Sequence, residues 1–242
     1  MTLLDCGMGT MVARGYSPLQ VHRVCIKAGS QVITTSTFMA NRFSDDDVLK
    51  HNQEAVAEAM EAKEGHPSVL IAGSIGPTTE NLHTRKVGEF IEAYSEQVQA
   101  LKGVDVFLVE TVTDPVIAAL AVRCCKEADP SVPVWVSLAP SVSPAVAMAA
   151  LMPLPLQAIG YNCGSGPQES APLLKTLSSL TSIPLIWYPS AGLPDENGRY
   201  PYGPKHWTQI VADTVKSVPV RYVGGCCGTT PKYIASLKAA LS

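Results

Sequence analysis

Short apolar, β-branched runs alternate with helical stretches at nearly even spacing along this chain, and that alternation restricts its fold more than any single residue does. The predicted strands are Leu3 to Gly7, Val32 to Thr37, Val69 to Gly73, Val106 to Thr111, Val134 to Ala139, Ala158 to Cys163, Leu185 to Ser190 and Tyr222 to Cys226. Most are apolar throughout, as expected of parallel strands covered on both faces. Between them lie helical patterns such as Val48 to Lys63, Lys86 to Leu101, Pro115 to Ala128 and Pro231 to Leu241. Asp114-Pro115 and Thr230-Pro231 each set a capping side chain before a proline at the first helical position. Eight strand–helix units in 242 residues fit an α/β chain folded as a (β/α)₈ TIM barrel, a single compact domain over residues 1–242, since that fold typically takes about 250 residues. A doubly wound open sheet is the competing topology, but it would leave the last units without a place.

Charge and composition narrow the function classes. The 18 Lys and Arg nearly balance 21 Asp and Glu, and no basic stripe or block of like charge is present. Neither nucleic acid nor an anionic membrane is therefore an expected partner. No apolar run approaches the roughly 20 residues that span a bilayer, and the N-terminus lacks the basic and apolar regions of a signal peptide. The expected location is the cytoplasm. Seven cysteines, two pairs of them vicinal, in a reducing compartment argue against a disulfide framework and for metal or catalytic use.

In a barrel of this type, side chains at the C-terminal strand ends converge on one mouth, where the chemistry is done. The unusual residues fall there: Asp5-Cys6-Gly7-Met8-Gly9-Thr10, Thr34 to Phe38, Glu110-Thr111, Asn162-Cys163-Gly164 and Gly224-Gly225-Cys226-Cys227-Gly228. Three thiols at strand ends, flanked by glycines that leave the backbone free to bring sulfurs together, suggest one zinc held by Cys163, Cys226 and Cys227. The plainer reading of Cys226 and Cys227 is as small buried hydrophobes. Cys124-Cys125 and Cys25 lie within helical patterns and read as packing residues. The five histidines show no chelating spacing. Gly7-x-Gly9 lacks the third glycine of a dinucleotide loop, and Gly73 to Pro77 lacks the Gly-Lys-Ser/Thr of a phosphate loop. Glu110, at the end of an apolar strand, has to be solvated, paired or bound to a ligand; a buried salt bridge is the alternative to a ligand. The irregular stretch Ala191 to Pro204 reads as an ordered loop over a site.

Taken together, Asp5 to Thr10, Thr34 to Phe38 with Ala40-Asn41-Arg42, Gly73 to Pro77, Glu110-Thr111, Asn162-Cys163-Gly164, Ala191-Gly192 and Gly224 to Thr230 with Pro231 resemble the zinc-dependent homocysteine S-methyltransferase family. The likeness covers nearly the whole chain and is strongest to the homocysteine-binding module of cobalamin-dependent methionine synthases. It implies catalytic Zn2+ on Cys163, Cys226 and Cys227, which would activate homocysteine as a thiolate for methylation to methionine. It also implies Asp5 and Glu110 near the substrate ammonium, with Gly7, Met8, Gly9, Thr10 and Asn162 completing the substrate site. Cys6 replaces the usual second glycine of the family's start and places a fourth thiol at the same mouth. Met39 stands where the betaine-using branch has a tyrosine, and Ser190 replaces a common asparagine. The chain lacks room for folate and cobalamin modules, so the methyl donor is expected to be external. A methylated corrinoid protein is the first expectation, and a sulfonium such as S-methylmethionine or S-adenosylmethionine the second. Two other readings stay open: methyl transfer to a different thiol or selenol, and a non-catalytic zinc barrel closed by Cys6 as fourth ligand.

Overall fold

The computed structural model describes residues 1–242. Its eight strands are β1 (Thr2–Leu3), β2 (Val32–Thr34), β3 (Leu70–Ile75), β4 (Val106–Val112), β5 (Val134–Leu138), β6 (Ala158–Cys163), β7 (Leu185–Pro189) and β8 (Val220–Val223). They form one parallel sheet in the order β1-β8-β7-β6-β5-β4-β3-β2. The helices are α1 (Met8–Val12), α2 (Pro18–Ala28), α3 (Val48–Lys63), α4 (Val87–Ala100), α5 (Pro115–Ala128), α6 (Pro144–Leu151), α7 (Pro167–Leu180), α8 (Pro204–Ser217) and α9 (Pro231–Leu241). The chain is a (β/α)₈ barrel with one short extra helix, α1, after the first strand. Proline opens α2, α5, α6, α7, α8 and α9, where its missing N–H costs nothing and its fixed φ suits the first turn. Ser17, Asp114 and Ser143 accept from first-turn amides of α2, α5 and α6.

Strand alternation divides the apolar residues between two layers. Phe107 and Val109 of β4, Val134 and Val136 of β5, and Leu185 and Trp187 of β7 pack outward against the helices in the larger core. Leu4, Val106, Leu108, Trp135, Ile186 and Tyr188 fill the barrel interior. Continuing the interior rows upward leads to Glu110, Ser137 and Asn162, all buried. Apolar layers thus end in polar ones at the C-terminal ends of the strands.

The barrel closes at one irregular seam. β1 is shorter than the expected Leu3 to Gly7, and β2 shorter than Val32 to Thr37. Between them a single backbone bond runs from Gln31 N to Leu3 O at 2.7 Å. Beyond it the Asp5 carboxylate takes over, accepting from Thr34 N at 2.7 Å and from Thr34 Oγ1 at 3.0 Å. On its other side the chain stays in register with β8, through Leu4 N to Val223 O and Gly225 N to Asp5 O.

Candidate metal and substrate site

The Cys226-Cys227 turn is fixed by bonds from four directions. Cys226 N donates to Pro189 O at 3.1 Å and Ala191 N donates to Cys227 O at 2.7 Å. Thr229 Oγ1 donates to Cys226 O at 2.6 Å and accepts from Gly7 N at 3.1 Å, while Gly228 N donates to Thr10 Oγ1 at 2.8 Å. The start of α1 and the end of β8 are in this way locked together. Gly7 is required by close approach, since a Cβ there would sit 2.5 Å from Cys226 O. Gly228 combines φ +79° with the Tyr200 ring on its open side, 2.3 Å from where a Cβ would be.

Cys163 reaches the same point by a backbone device. Strand alternation would send it outward, away from its neighbour Asn162, but it adopts φ +62° and its Sγ lies 3.0 Å from Cys226 Sγ and 3.4 Å from Cys227 Sγ. A non-glycine residue in the left-handed region is uncommon and is held only where its surroundings over-determine it. Thr111 does the same on β4, at φ +56° and at a register shift between Glu110 and Val112. Its Oγ1 thereby accepts from Asn162 Nδ2 at 2.6 Å. Asn162 Oδ1 accepts from Thr111 N at 3.0 Å and Ser137 Oγ at 2.8 Å, leaving Nδ2 also 3.8 Å from Cys226 Sγ.

The three sulfurs share protons unequally. Cys227, the exposed one, is lowered to about 3 by the hydrogen bond from Cys163 and then by that from Cys226. Cys226 is raised well above the usual thiol range by its bonds with Cys163 and Cys227 and by burial. In Cys163 the bond to Cys226 pulls down, but the bond to Cys227 and burial outweigh it, to about 12. Of the three, Cys227 is thus the sulfur on which negative charge is best supported. The Sγ separations of 3.0, 3.4 and 4.0 Å are close to the ~3.8 Å edge of a tetrahedron with Zn–S bonds of ~2.3 Å. The donor set therefore fits a zinc ion with one position open.

Two buried carboxylates line the same mouth, and neither has a cationic side chain in reach. Glu110 accepts from Ser74 Oγ at 2.5 Å and from Tyr188 OH at 3.0 Å. The salt bridge weighed as its alternative role is absent. Burial raises Glu110 above the carboxylate range against those two hydrogen bonds, and the charge on Cys227 adds to the rise. Burial likewise lifts Asp5 to about 7, opposed by the Thr34 bonds and reinforced by Glu110. Gly7 caps α1 and its N–H is taken by Thr229; Met8, Gly9 and Thr10 form the first turn of α1, whose amides have no intrahelical acceptor.

Cys6 corrects the sequence reading. It does not join the mouth thiols, which are Cys163, Cys226 and Cys227 alone, but packs with Met11, Val21, Cys25 and Ile234 in the helical layer. Neighbouring residues of an extended chain face opposite ways. Because Gly7 abuts the Cys226 carbonyl, Cys6 is turned toward α2. The closed four-thiolate site is therefore excluded for this fold. Met39 is part-exposed in the loop after β2, and Ser190 Oγ ties Gly164 O to Gly192 N. Sequence reasoning missed Tyr188, Ser74 and Ser137. Tyr188 was hidden inside an apolar run, and its signal was only its two-residue spacing from the interior-facing Ile186.

The family model described as homocysteine S-methyltransferase matches residues 2–241. Methionine synthase of Mycobacterium tuberculosis is 30% identical over 251 residues, covering 92% of this chain, and that of Mycobacterium leprae is 30% identical over 253 residues. The chain spans about a fifth of the length of these curated relatives, 21% in each case. The apo crystal structure of the homocysteine methyltransferase MmuM from Escherichia coli superimposes with a TM-score of 0.80 at 25% identity, covering 99% of this chain and 95% of that one.

Proposed function

Because the chain belongs to the homocysteine S-methyltransferase family, we propose that it methylates the sulfur of homocysteine to give methionine at the mouth lined by Cys163, Cys226, Cys227, Asp5 and Glu110. The observation that carries this reading is the juxtaposition of uncompensated buried carboxylates with a three-thiol cluster. Homocysteine presents the complement of each, an ammonium group and a thiol. Glu110, held by Ser74 and Tyr188, and Asp5, held by Thr34, would receive the ammonium; burial makes such a charge-assisted pair strong once formed. The first-turn amides of Met8, Gly9 and Thr10 would receive the carboxylate, with Gly7 as the close-packed entry to that turn. Asn162 would keep the cluster in place through Thr111, Ser137 and Cys226. Cys163, Cys226 and Cys227 would hold Zn2+, which supplies Lewis-acid activation of a substrate thiol at neutral pH.

The proposed donor is external and bulky, a methylated corrinoid carried by another protein. Support comes from the likeness to methionine synthases and from apolar side chains left exposed on loops and helix starts at the C-terminal ends of the strands, among them Met39, Val116, Val146 and Leu193. Metal analysis together with methionine formation tests the reading, using methylcobalamin, S-methylmethionine, S-adenosylmethionine or betaine as sole donor. Turnover with a sulfonium and none with methylcobalamin would replace the donor. Equal methylation of simple thiols would replace the substrate. No methionine from any donor with one zinc per chain would sink the enzymatic reading. No helix is long and apolar enough to cross a membrane.

A further inference from the structure

Cys6 and Cys25 are 19 positions apart in sequence, yet their sulfurs lie 3.1 Å apart. Both are buried among Met11, Val21 and Ile234, and no third metal-ligating group joins them. They are therefore not a metal site. Their arrangement differs from that of Cys124 and Cys125, which follow one another on α5, with Cys124 directing its S–H to Ile91 O at 3.7 Å. We infer that Cys6 and Cys25 form a redox-responsive disulfide site, closed by a small hydroperoxide such as hydrogen peroxide and reopened by thiols. A disulfide needs sulfurs at ~2.05 Å, so the pair must close by roughly 1 Å, a movement within reach of side-chain rotation and a slight shift of the Cys6 turn.

The reaction balances with peroxide as the two-electron oxidant. Cys6 sulfur, the less completely covered of the two at 3% exposure, attacks one peroxide oxygen. The O–O bond breaks, water leaves with the thiol proton, and a sulfenic acid remains. Cys25 sulfur then attacks the sulfenic sulfur, the S–O bond breaks, and a second water carries off the Cys25 proton and the hydroxyl. Two S–H bonds are lost, one S–S bond forms, and one peroxide becomes two waters. The pair is covered by Met11 of the five-residue α1, a flexible side chain whose displacement would admit the oxidant. Cys6 lies between Asp5, which closes the barrel seam, and Gly7, which supports the Cys226 carbonyl. Closing the disulfide fastens that segment to α2.

The test treats the full zinc-loaded chain with hydrogen peroxide, denatures it, alkylates free thiols and digests with trypsin without reductant. Cleavage after Arg14, Arg23 and Lys27 puts the two cysteines on separate peptides, Met1 to Arg14 and Val24 to Lys27. The expected product is those peptides joined, two hydrogens lighter than their sum, released by dithiothreitol, while Cys124 and Cys125 stay alkylatable. Cys25→Ser should abolish the joined peptide. Should that variant fail to fold, Cys6→Gly removes the pair by the other partner. Full alkylation of both Cys6 and Cys25 at peroxide doses that already oxidise the exposed Cys227 would overturn the inference. Because the readout is a peptide mass, it stands or falls apart from methyltransferase activity.

Discussion

A carboxylate enclosed without a cation is the most informative residue in this molecule. Glu110 is 8% exposed and held by two hydroxyls rather than by a charge, and the proposed ammonium site rests on that missing counter-charge. Glu110→Gln keeps the shape while removing the charge, with one of the two hydroxyls turned from donor to acceptor. It should weaken homocysteine binding by about 1.5–3 kcal/mol, the range for a hydrogen bond to a charged group, with zinc content unchanged; titration calorimetry on the metal-loaded protein measures it. Unaltered affinity would return Glu110 to a purely structural role. The thiols are distinguished in the same way. Cys226→Ser should lose the metal, because serine replaces one of only three sulfurs in the cluster with a poor zinc ligand. The double change Cys124→Ala and Cys125→Ala should retain it, since those side chains pack α5 against its neighbours. Equal zinc content in wild type and Cys226→Ser would remove the site assignment.

At the scale of elements, β1 and the turn into α1 concentrate the constraints. Gly7 has an ordinary φ of −61°, so alanine there costs nothing in backbone conformation; what it lacks is room, with the Cys226 carbonyl 2.5 Å from the new Cβ. Gly7→Ala should lower stability by roughly 1–3 kcal/mol as an overpacked site and loosen metal binding, read from unfolding midpoints and zinc competition with a chelator. Stability and zinc affinity both equal to wild type would show that the contact relaxes freely. This turn also marks where sequence reasoning reached its limit. The eight strands and their order followed from apolar runs and proline-led helices, because burial on both faces leaves a composition signal. Strand ends did not follow: β1 stops at Leu3 because a carboxylate, not a backbone, faces β2 beyond it. The place of Cys163 among the clustered thiols was legible from its position at a strand end, although the left-handed turn that aims it was not. Cys6 was read to the wrong side, since which way a side chain faces after a strand depends on the close packing of Gly7, a tertiary fact. Tyr188 and Ser74 escaped because a hydroxyl in an apolar run looks like core until its partner is known.

For the whole molecule, two buried titratable groups, His22 on α2 and Asp5 at the barrel seam, set contrary responses to pH. His22, on α2, is fully buried with neither ring nitrogen bonded, and burial lowers it from 6.5 to about 4. Between those values the unfolded chain takes up a proton that the native state refuses, so His22 removes about 3 kcal/mol of stability as pH falls from 6.5 to 4. Asp5 acts with the other sign. Burial, partly offset by Thr34, raises it from 3.8 to about 7, so between those values the native state keeps a proton that the unfolded chain has released. Its contribution is complete below pH 3.8 and is lost as pH rises through 7, by about 4 kcal/mol. Over pH 4 to 7 the two slopes largely cancel, and single substitutions unmask them. His22→Leu, free of the histidine term, should lose stability from pH 4.5 to 7 relative to wild type, whereas Asp5→Asn should gain it. Urea unfolding of the three proteins at those two pH values measures both differences at once, and other titrating groups drop out of the comparison. Parallel pH profiles in all three would show that neither group is held away from its ordinary range in the folded chain.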